Sequence, residues 1–393
     1  VDASAVETAR SLGAGPVRAF VDVVAPQVYP AVLTGAALTF VFTFGTFPIV
    51  LALGGFQLAT VEVFVYRLVR DLSYAEAAAL AIVELVVSLG VLLAYLRYEA
   101  RNRTRTRGAR PLPRRSLVPP APTLRELLPR AGLAAYVLVA GVIFLAPIAS
   151  MILASATGGD GALTLEHYRF LIERQQTGAA FQVRPWPAIR NSLAFAAAAT
   201  LLALPMGVVV AVLTTRRYRG RTLVDAAAMA PLAVSGIIVG LGLLRGLVFG
   251  VEVAGWRIAA SGAVAIVVAH AVSGYPFVVR TVSPGLSGLD RSLVESARAL
   301  GASRARVIRD VELPLVWPAV VAGAAFAFAI SIGEFTSTVV LATGADAYTM
   351  PVAIERFIGR RLGPATAMGL VLLVVTGLSF LVLARLGGAT RGH

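Results

Sequence analysis

Eight stretches of roughly twenty mostly apolar residues, parted by short arginine-bearing segments, constrain this chain more than any other feature. They lie near Tyr29–Val50, Tyr74–Leu96, Ala131–Leu153, Ile189–Thr214, Asp225–Val248, Ile258–Arg280, Val316–Ala342 and Gly363–Ala384. A helix rises about 1.5 Å per residue, so each run matches a hydrocarbon core about 30 Å thick. Apolar residues make up 58% of the chain and charged ones 14%, against about 45–50% and about 25% in soluble domains. The expected fold is all-α, a polytopic transmembrane bundle of about eight spans.

The connections set an orientation. From Arg97 to Arg130 there are ten arginines, and "RRYRGR" between the fourth and fifth runs holds four. Short basic loops stay cytoplasmic, which places both there. The Arg/Pro-rich stretch 97–128 then reads as a cytoplasmic linker that gains from contact with anionic lipid. A net charge of +14 does not point to nucleic acid, because the charge sits beside apolar spans. On the opposite face, "LTLEHYRFLIE" within Ala154–Ala188 reads either as a short interfacial amphipathic helix or as an ordered loop.

Residue types exclude several chemistries. The chain has no cysteine, and all 35 of its basic residues are arginine. Disulfides, thiolate metal sites and cysteine nucleophiles are therefore ruled out. So are a P-loop and a Schiff base, both of which need lysine. No HExxH motif occurs and the three histidines do not cluster. The expectation is a non-enzyme with no cofactor and no metal.

Laying residues 1–47 over 289–335 without gaps gives 23 identities. Glu7, Ala9, Arg10, Leu12, Gly13, Ala14, Arg18, Asp22, Val23 and Pro26 match Glu295, Ala297, Arg298, Leu300, Gly301, Ala302, Arg306, Asp310, Val311 and Pro314. The match continues through Gly35, Phe40, Gly45 and Phe47 against Gly323, Phe328, Gly333 and Phe335. Six runs separate the copies, so they share direction and form a parallel repeat about an axis along the membrane normal. This divides the chain into the end of a first half (1–96), the linker (97–128) and a second half (129–393) with its polar loop at 289–314. The second half has four runs before its copy of the loop. The expectation is that the first half is truncated at its N-terminus.

In the second copy, Val294–Leu300 favours a helix with Glu295 near its positive end. Gly301 then breaks the helix, and Arg304–Glu312 forms a second one, ended by Leu313–Pro314. For one such loop, a solvated connector and a docking element are equally good readings. Two matched copies favour docking to a two-fold partner.

The pattern Glu-x-Ala-x-x-x-Gly, followed after a dozen residues by Pro, resembles the "EAA loop" of permease subunits in binding-protein-dependent ABC importers. Glu7, Ala9, Gly13 and Pro26 fit it once, and Glu295, Ala297, Gly301 and Pro314 fit it again; Thr8 and Ser296 depart from the usual second alanine. The resemblance implies the type I ABC importer permease fold in a cell membrane, and an ATPase subunit dimer gripping both loops on the cytoplasmic side. It also implies an extracytoplasmic substrate-binding protein as a partner. The fused two-half form, with "LALGGFQLATVEVFVYRLV" and "PLAVSGIIVGLGLL", is similar to thiamine transporter permeases and, as a rival, to iron(III) permeases. A secondary transporter is a further alternative, but it leaves the two matched loops unexplained.

Ionisable groups at membrane depth are functional candidates by default. Glu334, in "SIGEFTST", either faces a pathway and attracts a cation or bonds neighbouring helices; its repeat partner is Thr46. Glu84 either pairs with a helix neighbour or faces the interior. His270 has Gly274 at i+4, which favours an interhelical hydrogen bond over a metal site. Ser235 either lines a pathway or belongs to the packed small-residue face of Gly236, Gly240, Gly242 and Gly246. Pro276 is expected to bend the sixth span.

Overall fold

The structure is a computed structural model. It describes residues 3–44, 46–54, 58–102, 124–173, 183–216, 220–232 and 234–388. Most of the 97–128 linker, and parts of "RRYRGR" and of the 154–188 connection, lie outside the described residues.

In chain order the helices begin with α1 (Ala3–Ser11), α2 (Pro16–Ala19), α3 (Ala25–Phe44), α4 (Phe47–Gly54), α5 (Val61–Arg70) and α6 (Tyr74–Asn102). Next come α7 (Leu124–Ser155), α8 (Glu166–Glu173), α9 (Pro185–Thr215), α10 (Arg221–Met229) and α11 (Gly236–Leu243). A small antiparallel hairpin, β1 (Val251–Val253) and β2 (Trp256–Ile258), precedes α12 (Gly262–Ser287). The remainder are α13 (Arg291–Ala299), α14 (Arg304–Val307), α15 (Leu313–Leu315), α16 (Trp317–Gly333), α17 (Thr336–Leu341), α18 (Met350–Ile358) and α19 (Leu362–Gly388).

The chain divides into two compact units. One comprises Val1–Gly45 with Val87–Ser150, the other Thr46–Val86 with Met151–His393. In the first unit α7 carries its apolar side chains outward, as at Tyr136, Leu138 and Phe144. Lipid covers such a surface without cost. The second unit packs α9, α12, α16 and α19 into one bundle. Small residues set its close spacing: a methyl group at Gly207 of α9 meets Val278 of α12 at 2.5 Å.

Five helices among the described residues are long and apolar enough to cross a bilayer by themselves, or up to seven if each bent pair counts as one span, where eight runs were expected. They are stretches of α6, α7, α9, α12 and α19. The other three runs are interrupted. The first consists of α3 and α4, and the fifth is bent by 96° between α10 and α11. The seventh stops at Gly333 and resumes at Thr336. Apolar content tells how much lipid a run tolerates, but not whether its backbone stays helical. Ser235 and Gly236 at the one bend, and Gly333, Glu334 and Thr336 at the other break, are the small and polar residue types at which a spanning helix is interrupted where neighbouring helices satisfy the freed backbone.

Two boundaries also move. Trp256–Ile258 is a strand, so the sixth span begins at Gly262. Helix α12 is assigned unbroken through Pro276. The stretch "EHYRFLIE" is helical, with Leu171 buried and Arg361 over the Phe170 ring at 5.3 Å.

Candidate functional site

The two polar loops fold alike over Ala3–Val24 and Arg291–Glu312. In the second copy, Asp290 caps α13 by accepting the Ser292 N–H at 2.9 Å. That bond holds the Asp290 carboxyl below its ordinary range. The helix therefore starts at Arg291, three residues before Val294, and Glu295 lies in its middle. It ends in a Schellman turn, in which Ala302 N–H reaches Ala297 C=O at 3.0 Å and Gly301 N–H reaches Arg298 C=O at 2.9 Å. The turn sets Gly301 at φ +82°, a left-handed value that costs glycine little.

The first copy repeats this turn. Ala14 N–H reaches Ala9 C=O and Gly13 N–H reaches Arg10 C=O, each at 3.0 Å, with Gly13 at φ +88°. The likeness continues into the second arms. A π-helical turn spans Phe20–Val24 in one copy and Ile308–Glu312 in the other. Glu7 and Glu295 are exposed, as are Pro26 and Pro314, while Ala9 and Ala297 are half-buried. Leu12 and Leu300 are 82% and 89% exposed.

The arms differ at their far ends. Leu313–Pro314 is helical and does not terminate the second arm; that arm meets α16 at a bend of 76°. In the first copy α3 is a single helix from Ala25.

A second constellation lies inside the larger unit. Glu62 of α5 and Glu84 of α6 are both buried, and their carboxyls adjoin. Ser235 donates its hydroxyl hydrogen bond to Glu62 Oε1. Glu62 Oε2 and both Glu84 oxygens have no hydrogen-bond partner among the described residues. Glu334 sits beside them. Its Oε1 accepts from Ser337 N–H at 2.7 Å and Ser337 Oγ–H at 2.9 Å, which caps α17 after the break. A methyl group at Gly236 meets Glu334 Oε1 at 3.2 Å, and one at Gly240 meets the Ser337 carbonyl at 3.0 Å. Gly242 and Gly246 face open space, so only half of the small-residue face is packed.

Ser235 and Glu334 are thus brought together, and Thr46 stands next to Phe47. The ring of Phe47 stacks on that of Phe335 with centroids 5.6 Å apart and an interplanar angle of 13°. His270 bonds Ser331 Oγ at 2.8 Å and Thr338 Oγ1 at 2.7 Å. Sequence reasoning missed Glu62, because it lies in a short amphipathic helix and not in an apolar run. Its signal was "VEVFVYRLVR", where Glu62 shares a face with Tyr66 and Val69. Among the described residues no three or more His, Asp or Glu side chains, these glutamates included, are placed so that they could hold a metal ion.

The family described as "Binding-protein-dependent transport system inner membrane component" matches residues 1–104 and 203–391. The chain belongs to that family. It is a multi-pass membrane protein and a transport subunit. The chain is 34% identical to the "Molybdenum transport system permease protein ModB" of Escherichia coli (strain K12) over 206 residues, 48% of this chain and 87% of that protein. It is 33% identical to the "Sulfate transport system permease protein CysT" of Salmonella typhimurium (strain LT2) over 195 residues, 46% of this chain and 70% of that protein. Among solved structures, a bacterial ABC transporter involved in import of the acidic polysaccharide alginate superposes with TM-score 0.56 at 20% identity. That match covers 67% of this chain and 96% of the other. The fold is that of type I ABC importer permeases. The relatives named here are molybdenum and sulfate permeases, and they do not confirm the thiamine or iron(III) type expected from the fused form.

Proposed function

We propose that the chain forms the translocation pathway of an ATP-driven importer and couples to a separate ATPase dimer through the loops at Glu7–Pro26 and Glu295–Pro314. The carrying observation is that both loops adopt one backbone, with the Schellman turn, the π-turn and the exposed leucine at matching positions. A two-fold motor accounts for two matched docking elements; solvated connectors would be free to diverge. Residues 1–96 and 129–393 act as the two halves, joined by the 97–128 linker. The loops, linker and C-terminus face the cytoplasm, and a binding protein delivers substrate at the other face.

The proposed substrate is a small tetrahedral oxyanion, supported by the molybdenum and sulfate permeases that the chain resembles over about half its length. One observation favours a second reading, an organic cation such as thiamine, or iron(III): the carboxylates of Glu62, Glu84 and Glu334 gather in one buried cluster beside Ser235. A pathway for anions gains nothing from them, whereas a pathway for cations does.

The coupling reading is tested by co-purification of the ATPase with the Glu7→Lys/Glu295→Lys variant. Binding is expected to be lost; unchanged binding and transport would overturn the docking role. The substrate is tested by equilibrium binding of molybdate, sulfate, thiamine and ferric iron to the cognate binding protein. Submicromolar binding of thiamine or iron and none of either oxyanion would reverse the assignment.

A further inference from the structure

The middle of α6 is exposed at Ile82, Val83 and Val86, whereas Ala77, Ala81 and Glu84 form one buried stripe at helical spacing. The first two places on that stripe are small and apolar; the third holds a carboxyl. Glu84 is 2% exposed and Glu62 of α5, whose carboxyl adjoins it, 1%.

A buried carboxyl persists where its oxygens find donors or where it takes up a proton. Counting donors decides between the two. Ser235 has one hydroxyl hydrogen and gives it to Glu62 Oε1. The same oxygen accepts Ile237 N–H at 3.3 Å and so caps α11. Glu62 Oε2 and both oxygens of Glu84 have no partner among the described residues. An ionised carboxylate can only accept, so the two carboxyls cannot bond each other while both are charged.

Nor does a cation offset them. No ion pair to Glu62, Glu84 or Glu334 occurs among the described residues. Glu334 faces the pair from the break between α16 and α17 as a third carboxyl, and Ser337 already holds its Oε1. His270 of α12 is engaged by Ser331 and Thr338. One turn along α5, Tyr66 meets the charges of Glu355, Arg70 and Arg356. Two adjoining carboxyls in an apolar site without a counter-ion cannot both ionise cheaply, and one of them keeps a proton.

We infer that Glu84 is a proton-binding site: it holds one proton, donates it in a hydrogen bond to Glu62 Oε2, and so latches α6 to α5. The placement follows from the donor count. Glu62 already receives the Ser235 hydrogen bond, which steadies a negative charge, whereas Glu84 receives none. With the proton on Glu84, the Glu62 carboxylate gains a second donor, and one oxygen of the pair is left without a partner. Loss of the proton breaks the latch and sets two like charges side by side. The inference does not depend on the permease reading, and it gives the pair a role that needs no solute beside it.

The test uses the whole chain in detergent. At neutral pH its infrared spectrum in heavy water is expected to contain the carbonyl band of a protonated carboxyl, and Glu84→Gln to weaken that band. A proton bound in the folded chain and released on unfolding makes stability fall as pH rises. The melting temperature is therefore expected to fall from neutral to alkaline pH. Glu84→Gln is expected to flatten that fall, because its amide is neutral at every pH and can donate to Glu62. Glu84→Met is equally neutral and similar in length but has no donor, and it is expected to melt below Glu84→Gln at neutral pH. Absence of the band, or a band of undiminished intensity in Glu84→Gln, would overturn the inference. So would an alkaline fall that Glu84→Gln leaves as steep, or a Glu84→Met chain that melts at or above Glu84→Gln. Failure of Glu84→Gln to fold would overturn it too, since the amide supplies both the neutrality and the donor that the latch requires.

Discussion

Arg216 and Glu312 meet at 3.5 Å, Nη2 to Oε2, and join the end of α9 to the π-turn of the second polar loop. Their side chains are 21% and 13% exposed, so the pair is screened far less than a surface bridge. The first copy has Val24 where Glu312 stands, which makes this tie a property of the second half alone. Removing one partner from a pair of intermediate burial costs about 1–3 kcal/mol, between the exposed and buried limits. Arg216→Glu is expected to lower the melting temperature and the number of substrates carried per ATP. Arg216→Glu/Glu312→Arg is expected to recover part of both. Additive losses in the double variant would show that the two side chains do not act together.

Gly13 and Gly301 test whether the turn itself matters. A Cβ at either position meets no atom within 4 Å, so substitution adds no clash. The cost comes from the left-handed backbone, about 1–2 kcal/mol for an L-residue. Gly301→Val is expected to weaken ATPase binding severalfold while the bundle's melting temperature stays within error. Gly301→Asn, which tolerates the left-handed region better, is expected to fall between. A melting temperature that drops in step with binding would assign the glycine to folding and not to docking.

Asp290 adds a pH dependence to the same loop. The Ser292 N–H bond depresses its folded-state pKa, so its contribution to capping α13 is present above the unfolded carboxylate range. It is lost as pH falls through the folded value. Because the group is fully exposed, the effect is a local one on helix order. A fluorophore on Leu300→Cys is expected to report a better-ordered loop for Asp290 than for Asp290→Ala at neutral pH. The two are expected to converge in acid, once the pH has fallen below the depressed folded-state pKa and the carboxyl is protonated in both folded and unfolded chains. A difference that persists unchanged into acid would mean the cap acts by shape and not by charge.

The repeated polar loop was legible in the sequence because its chemistry is local. A glycine at a left-handed turn, and charges at fixed spacing repeated 288 residues on, need no tertiary knowledge to recognise. The span pattern was legible as apolar length but not as continuity. Nothing in "SIGEFTST" announces that the helix stops at Gly333, because the stop is stabilised by Glu334 capping α17 and by Gly236 packing close to it. Glu62 stayed hidden for a related reason. The face it shares with Tyr66 and Val69 marked it as inward, but its hydrogen-bond partner Ser235 is 173 residues away, and the local pattern does not name a partner at that separation. The Phe47–Phe335 stack lies between these cases, with its equivalence written in the repeat and its contact visible only in the fold.

His270 closes a network across the broken span. Thr338 Oγ1 donates to the Glu334 carbonyl at 3.2 Å, which leaves its lone pair to accept from His270 Nε2–H at 2.7 Å. Nδ1 then accepts from the Ser331 hydroxyl at 2.8 Å. One neutral imidazole thus satisfies both sides of the interruption, pinning α16 and α17 to α12. His270→Leu leaves Ser331 without that partner and frees one side of Thr338, each at about 1–3 kcal/mol for a buried polar group left unpaired. A clear fall in melting temperature is expected. Removing the hydroxyls as well, in His270→Leu/Ser331→Ala/Thr338→Val, is expected to recover much of it, because apolar replacement of all partners is close to neutral. If the triple variant melts below the single one, the hydroxyls bond elsewhere when His270 is gone, and the imidazole is not the keystone of the break.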